Sequence, residues 1–255
     1  MRITFLGTGT SMGVPVIACT CHVCQSKYPL DKRLRSSVLI ESQGLILLVD
    51  AGPDFREQML RAHVSRIDAI LITHGHTDHV GGLDDVRAIN WQMQRPMPIY
   101  GEDFVLDELK QRYAYAFADH KYPGVPEYNL QTITPRPFLF QHIMVEPFRV
   151  WHHKLPILGF KIGKMAYITD ANRIEAHVLE NLKNLDILII NGLRNEKHLS
   201  HFSLPEALEV IKFLSPKQAF ITHISHQLGL HEEINTQLPP HIRLAYDGLV
   251  VEMEG

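Results

Sequence analysis

Ile70-Leu71-Ile72-Thr73-His74-Gly75-His76-Thr77-Asp78-His79 decides how this chain is read. The run Asp68–Thr73 is aliphatic and β-branched without a polar break, the pattern of a strand buried on both faces. It empties into four potential metal ligands, His74, His76, Asp78 and His79. Beyond them Gly81-Gly82, Leu83, Val86, Ile89 and Asn90 place a helix near 83–93. Histidines two apart on a tight loop can turn both rings toward one ion, and Asp78 and His79 can serve a second. Neutral imidazole with carboxylate suits zinc, manganese or iron far better than calcium or magnesium. The bland alternative is an exposed loop that happens to be rich in histidine, and the buried strand feeding the loop argues against it.

Composition sets the frame. The chain has 255 residues, 45% hydrophobic and 21% charged, which fits a globular protein with a substantial core. It contains no apolar run of the roughly 20 residues needed to span a bilayer. Met1-Arg2-Ile3-Thr4-Phe5-Leu6-Gly7 reads as a strand entering a turn rather than as a secretory signal, so a cytoplasmic location is expected. A formal net charge of −3 gives no broad nucleic-acid footprint. The three cysteines fall in Cys19-Thr20-Cys21-His22-Val23-Cys24, and an odd, clustered set without a signal sequence points to metal binding rather than disulfides. Three thiolates need a fourth ligand to close a tetrahedral zinc shell, and His22 and His226 both compete for that place. Lys32-Arg33-Leu34-Arg35 could steer a phosphate, although a solvated turn is the favoured reading.

Other apolar β runs also end in chemistry. Leu45–Val49 ends in Asp50, the strand from Val145 to His153 closes in His152-His153 itself, Met165–Thr169 ends in Asp170, and Gln218–Thr222 in His223. Two segments look like capping boxes opening helices, Asp54-Phe55-Arg56-Glu57 and Ser203-Leu204-Pro205-Glu206. Residues 119–145 carry no clean period and read as strands and loops over the rim of a site. No repeat or linker divides the chain, so a single domain over 1–255 is expected, with a zinc-binding cysteine loop at about 17–26. Strand ends that converge on one edge of a layered α/β sheet make a crevice suited to a ligand.

This pattern resembles the metallo-β-lactamase superfamily over nearly the whole chain, with His74-x-His76-x-Asp78-His79 as its most specific mark. The resemblance implies a four-layer αββα fold, two mixed sheets packed face to face with helices outside. It also implies two divalent ions, zinc or manganese with iron as a further option. His74, His76 and His152 would hold one, Asp78, His79 and His223 the other, and Asp170 would bridge them. His152 is preferred over His153 because His152-x-x-Leu155-Pro156-x-x-Gly159 resembles the superfamily's pattern with the ligand first. Within the superfamily the chain is most similar to the PhnP-like cyclic-phosphate phosphodiesterases. Leu6-Gly7-Thr8-Gly9-Thr10 before the cysteines, His201-Phe202-Ser203-Leu204, and Thr222-His223-Ile224-Ser225-His226-Gln227 carry that similarity. It implies a separate structural zinc on Cys19, Cys21, Cys24 and His226. It further implies His201 as general acid, with Asp78 as the other catalytic group. Asn191 departs from the pattern, because an acidic residue would be expected after that strand.

The expected activity is hydrolysis of small, cyclic or linear phosphodiesters, with no membrane or nucleic-acid partner and a homodimer left open. A transfer-RNA 3′-end nuclease of the same superfamily is the alternative hydrolase, and it lacks here a basic excursion to grip RNA. An iron-dependent oxidoreductase or a binding protein is the third reading. The complete set of seven ligands argues against a pure binding role.

Overall fold

The computed structural model describes residues 1–253. Among the described residues fourteen strands form two mixed sheets of seven. The first six are β1 (Arg2–Gly7), β2 (Ser37–Ser42), β3 (Leu45–Val49), β4 (Ala69–Leu71), β5 (Met97–Gly101) and β6 (Tyr128–Thr132). Then follow β7 (Phe138–Phe140), β8 (Ile143–His152), β9 (Leu155–Ile162), β10 (Met165–Ile168), β11 (Ile187–Asn191), β12 (Gln218–Thr222) and β13 (Ile242–Leu244), and β14 (Val250–Glu252) closes the set. The first sheet runs β14-β1-β2-β3-β4-β5-β6 and the second β13-β12-β11-β10-β9-β8-β7. In each, antiparallel hairpins adjoin a parallel block: β3 to β6 in the first and β10 to β13 in the second. This is the α/β architecture expected from the alternation of apolar runs with helical patterns.

Two compact units result. Met1–Leu6, Ser37–Thr134 and the residues from Val250 make the first, and Gly7–Ser36 with Pro135–Leu249 make the second. The first has its core around Leu48, Phe55, Ile70, Ile72, Val80 and Ile99. The second is centred on Ile157, Ile168, Leu188, Ile190, Ile211 and Ile221. Parallel strands buried on both faces need apolar side chains at every position, and β10 and β11 (MAYI and ILIIN) are buried throughout.

Helices α1 (Phe55–Arg61), α2 (Arg87–Met93), α3 (Asp103–Arg112), α4 (Ala176–Asn181) and α5 (Leu204–Leu214) join these strands. Ser203 opens α5 with a reciprocal capping box to Glu206, as its sequence predicts, and Pro205 sits in the first turn. Asp54 differs, because its side chain makes no cap bond to α1. The stretch expected as one helix near 83–93 is split into a 3-10 turn at Leu83–Val86 followed by α2. Gly82 sets that entry: a Cβ there would run into the carbonyl of Gly52, so only glycine lets the two backbones approach.

Candidate metal centre

In the first unit, β3 and β4 end side by side and deliver Asp50 and Thr73 into contact. Asp50 is wholly buried, with its backbone in the left-handed region (φ 63°). Its Oδ1 accepts the Thr73 N–H (2.9 Å), and its Oδ2 accepts the Thr73 hydroxyl (2.8 Å) and faces His79 Nδ1 at 2.7 Å. Burial pushes the Asp50 carboxyl up from its ordinary value, against the opposing pull of His79 and Thr73.

This carboxylate fixes the rings of the ligand loop. Accepting the His79 Nδ1 proton leaves Nε2 as the lone-pair nitrogen of that ring. Because Thr73 donates to Asp50, its oxygen is an acceptor for His74 Nδ1 at 2.9 Å, which leaves His74 Nε2 as that ring's lone pair. His74 Nε2 lies 3.1 Å from His76 Nδ1, and His79 Nε2 lies 3.1 Å from Asp78 Oδ2. An acceptor nitrogen against a carboxylate is repulsive unless the ring is doubly protonated or a cation lies between them. The donor set thus fits a divalent ion, with the outer hydrogen bonds that metal-bound histidines require.

The second unit repeats the device. His152, at the end of β8, directs Nδ1 at two carbonyl oxygens, Asp170 O (2.7 Å) and Ser200 O (2.9 Å). Carbonyls only accept, so Nδ1 carries the proton and Nε2 is the ring's lone-pair nitrogen. Burial lowers the His152 pKa, which keeps the ring neutral. Neighbouring His153 is exposed. Asp170 and His223 follow β10 and β12 in left-handed backbone (φ 60° and 54°), a conformation that concentrates at functional positions. His223 Nδ1 lies 3.1 Å from Asp170 Oδ1, and Ser36 and Thr10 hydroxyls flank the ring at 3.2 and 3.3 Å. His201 stacks on His223 (4.9 Å between centroids, 13° between planes) and places Nε2 3.3 Å from Asp170 Oδ2. Within this unit His152, Asp170 and His201 form one potential ligand group.

Asn191, the departure noted in sequence, is buried and pairs both ways with Ala171: Oδ1 accepts its N–H (2.8 Å) and Nδ2 donates to its carbonyl (2.9 Å). It braces the turn that carries Asp170. A carboxylate could not donate the second bond.

The cysteine loop lies in the same unit. Sγ of Cys19, Cys21 and Cys24 sit 3.3, 3.3 and 3.5 Å from His226 Nδ1. A tetrahedral zinc with bonds of about 2.3 Å to sulfur and about 2.0 Å to nitrogen would space S and N by roughly 3.5 Å. The cluster therefore fits that ion, and His226 rather than His22 is the fourth member of the group. Backbone N–H groups of Cys24 and Val16 donate to Cys21 and Cys24 Sγ, both at 3.4 Å. The Cys24 N–H first, then His226, lower the Cys21 pKa to about 6, whereas burial lifts that of Cys24 to about 11.

The basic stretch does not face solvent as a whole. Arg33 is buried and donates to Thr8 Oγ1 (2.8 Å), Ala245 O (2.6 Å) and His231 Nδ1 (3.0 Å). Lys32 donates to Cys24 O, and Arg35 to Ser11 O. These cations knit the second unit's loops together.

Residues 46–224 match the β-lactamase superfamily domain. The chain belongs to the metallo-β-lactamase superfamily. A crystal structure of a diphosphatase from the PhnP family superposes with a TM-score of 0.92 at 39% identity, covering 99% of this chain and 98% of that one. A Porphyromonas gingivalis octanoyltransferase is 46% identical over 98% of this chain, which spans only 51% of that longer protein. Zinc-bound PqqB from Methylobacterium extorquens shares the fold, with a TM-score of 0.81 at 19% identity and coverage of 99% and 100%. This superfamily member is thus a hydrolase-fold protein related to PhnP-family enzymes. Among the described residues no helix is long and apolar enough to cross a membrane.

Proposed function

We propose that this protein is a dinuclear metal-dependent phosphodiesterase acting on small, especially cyclic, phosphodiesters. In this reading His74, His76 and His152 would hold one divalent cation and Asp78, His79 and His223 a second, with Asp170 completing the ligand set. The observation that carries it is the uniform presentation of His74, His79 and His152, each with Nδ1 tied to oxygen and Nε2 left to ligate. Cations held there would supply Lewis acidity and lower the pKa of a water toward neutrality. The chain's own residues do the rest. Asp50 and Thr73 keep the rings oriented, the buried Asp170 carboxylate balances positive charge, and His201 Nε2 delivers a proton to the departing alkoxide. A hydroxyl leaving group needs that proton far more than an activated phenol does. The structural zinc on Cys19, Cys21, Cys24 and His226 would fix the loop after β12, three residues beyond His223.

The PhnP-family relative adds diphosphates as a second bond type, and the P. gingivalis relative adds octanoyl transfer as a second reading. The test is one panel with metal-loaded protein: 2′,3′-cyclic nucleotides, ribose cyclic phosphates, nucleoside diphosphate esters, precursor transfer RNA and an octanoyl thioester. Turnover of cyclic phosphodiesters, with His201→Ala slowing alkyl esters about 100-fold and nitrophenyl esters little, is the expected outcome. Exclusive turnover of the thioester, or of the transfer RNA, would replace this assignment.

A further inference from the structure

His198 occupies the loop between β11 and α5 and plays no part in the ligand sets described above. Its Nδ1 lies 3.1 Å from His201 Nδ1, and Ser200 Oγ lies 3.3 Å from the first and 3.0 Å from the second. One contact fixes the direction of the others. The backbone N–H of Ser200 points at His198 Nδ1 (3.3 Å), and a backbone N–H only donates. His198 Nδ1 therefore carries no proton, and its ring is the neutral Nε2–H tautomer. Two lone pairs facing each other at 3.1 Å would repel, so His201 must carry a proton on Nδ1. That proton reaches His198 directly, or through Ser200 Oγ, which accepts from His201 and donates to His198. Either route leaves His201 Nε2 as the nitrogen turned to Asp170 Oδ2. Burial, then the charges of His201 and Arg194, lower the pKa of His198, in keeping with a neutral acceptor.

We propose that His198 is a positioning residue for the reaction: it accepts the His201 Nδ1 proton, directly or through Ser200, and so presents His201 Nε2 to the leaving group. The role is that of the carboxylate beside a catalytic imidazole, filled here by a neutral ring. An acceptor at Nδ1 fixes the ring's rotation and keeps Nε2 as the nitrogen presented to the leaving group. Nothing in residue type or spacing marks this, because the contact depends on a turn that folds residue 198 back onto residue 201.

This inference rests on the phosphodiesterase reading, and two measurements separate them. The first compares His198→Leu and His198→Asn in the metal-loaded protein, on a 2′,3′-cyclic nucleotide and on bis(4-nitrophenyl) phosphate. Asn can place an oxygen acceptor where Nδ1 stood; Leu cannot. We expect His198→Leu to lower kcat on the cyclic nucleotide at least about tenfold with KM little changed, to lose less than about threefold on the aryl ester, and to be largely rescued in His198→Asn. Equal losses on both esters, no loss, or no difference between Leu and Asn would overturn the proposal. The second is ¹⁵N NMR of the imidazole nitrogens, which needs no turnover. The His201 proton should reside on Nδ1 in the parent and in His198→Asn, and move toward Nε2 in His198→Leu. A parent ring with its neutral-form proton on Nε2 overturns the positioning role even if the esters are hydrolysed. A ring protonated on Nδ1 in a protein that cleaves neither ester supports the hydrogen-bond polarity and defeats the phosphodiesterase reading instead.

Discussion

Replacing Asp50 by Asn keeps the side chain's volume and its capacity to hydrogen-bond, and it should still damage the metal centre. In the parent, Oδ1 takes the Thr73 N–H, while Oδ2 is shared by the Thr73 hydroxyl and His79 Nδ1. Asparagine satisfies Thr73 N–H only with its oxygen in the first position, which puts its NH2 in the second. The Thr73 hydroxyl can rotate to accept from that NH2. His79 can accept only by moving its proton to Nε2, the atom needed for ligation. The hydroxyl proton, released from Asp50, can then turn toward His74 Nδ1 and compete with the His74 Nδ1–H for that contact. Loss of an outer partner of one metal-bound histidine typically costs 10–100-fold in affinity, about 1.4–2.7 kcal/mol, and here two rings are affected. Apo stability should change by less than about 1 kcal/mol, because removing a buried charge offsets the weaker bonds. Competition with a chromophoric chelator measures the affinity, and urea unfolding of the metal-free protein measures the fold. Unchanged affinity would refute the tautomer argument. So would a collapse of apo stability that accounts for the whole loss.

Three other perturbations have defined outcomes. Cys21→Ser should remove one zinc per chain and lower Tm by at least about 5 °C, and unchanged zinc stoichiometry by mass spectrometry would reject the cysteine site. Asn191→Asp sets a carboxylate against the Ala171 carbonyl in a buried site and should cost about 2–3 kcal/mol in denaturant unfolding, more at pH 8 than at pH 5; an unaltered midpoint would mean the brace is dispensable. His231 accepts from Arg33, and burial, then the Arg33 charge, lower its pKa to about 4 from the ordinary 6.5. Between these values the unfolded chain binds the proton and the native chain does not. Its contribution is therefore complete above pH 6.5 and is lost as pH falls toward 4, by about 3 kcal/mol. His231→Asn, which keeps an acceptor for Arg33, should show a shallower acid loss than the parent, whereas parallel curves would count against this assignment.

Much of the site is visible in the chain because it hangs on strand ends. Apolar runs closing in Asp50, His74, Asp170 and His223 appear as strands with those residues at or just past their ends. The capping box at Ser203 was legible for the same reason, since both partners lie within one turn. What escaped depends on long-range contact or on backbone conformation. Arg33 reads as part of a solvated basic turn, yet its partners are Thr8, His231 and Ala245, up to 212 positions away. Asn191 looked like a lost acid until Ala171 supplied both a donor and an acceptor. The strand expected at 68–73 narrows to Ala69–Leu71: the Ile72 N–H still bonds the Tyr100 carbonyl of β5, but the Thr73 N–H goes to the Asp50 carboxylate instead of a neighbouring strand. The left-handed backbone at Asp50, Asp170 and His223 carries no signal in residue type, although it sets where each side chain points.

The proposed phosphodiesterase reaction depends on two cations held by seven side chains. Stripping the protein of metal and titrating zinc or manganese back, while following hydrolysis of a cyclic phosphodiester and metal content together, tests it most directly. Activity should be absent in the metal-free protein and should saturate at two equivalents beyond the one retained by the cysteine site. Full activity without metal, or saturation at a single equivalent that His76→Ala leaves unchanged, would contradict the account.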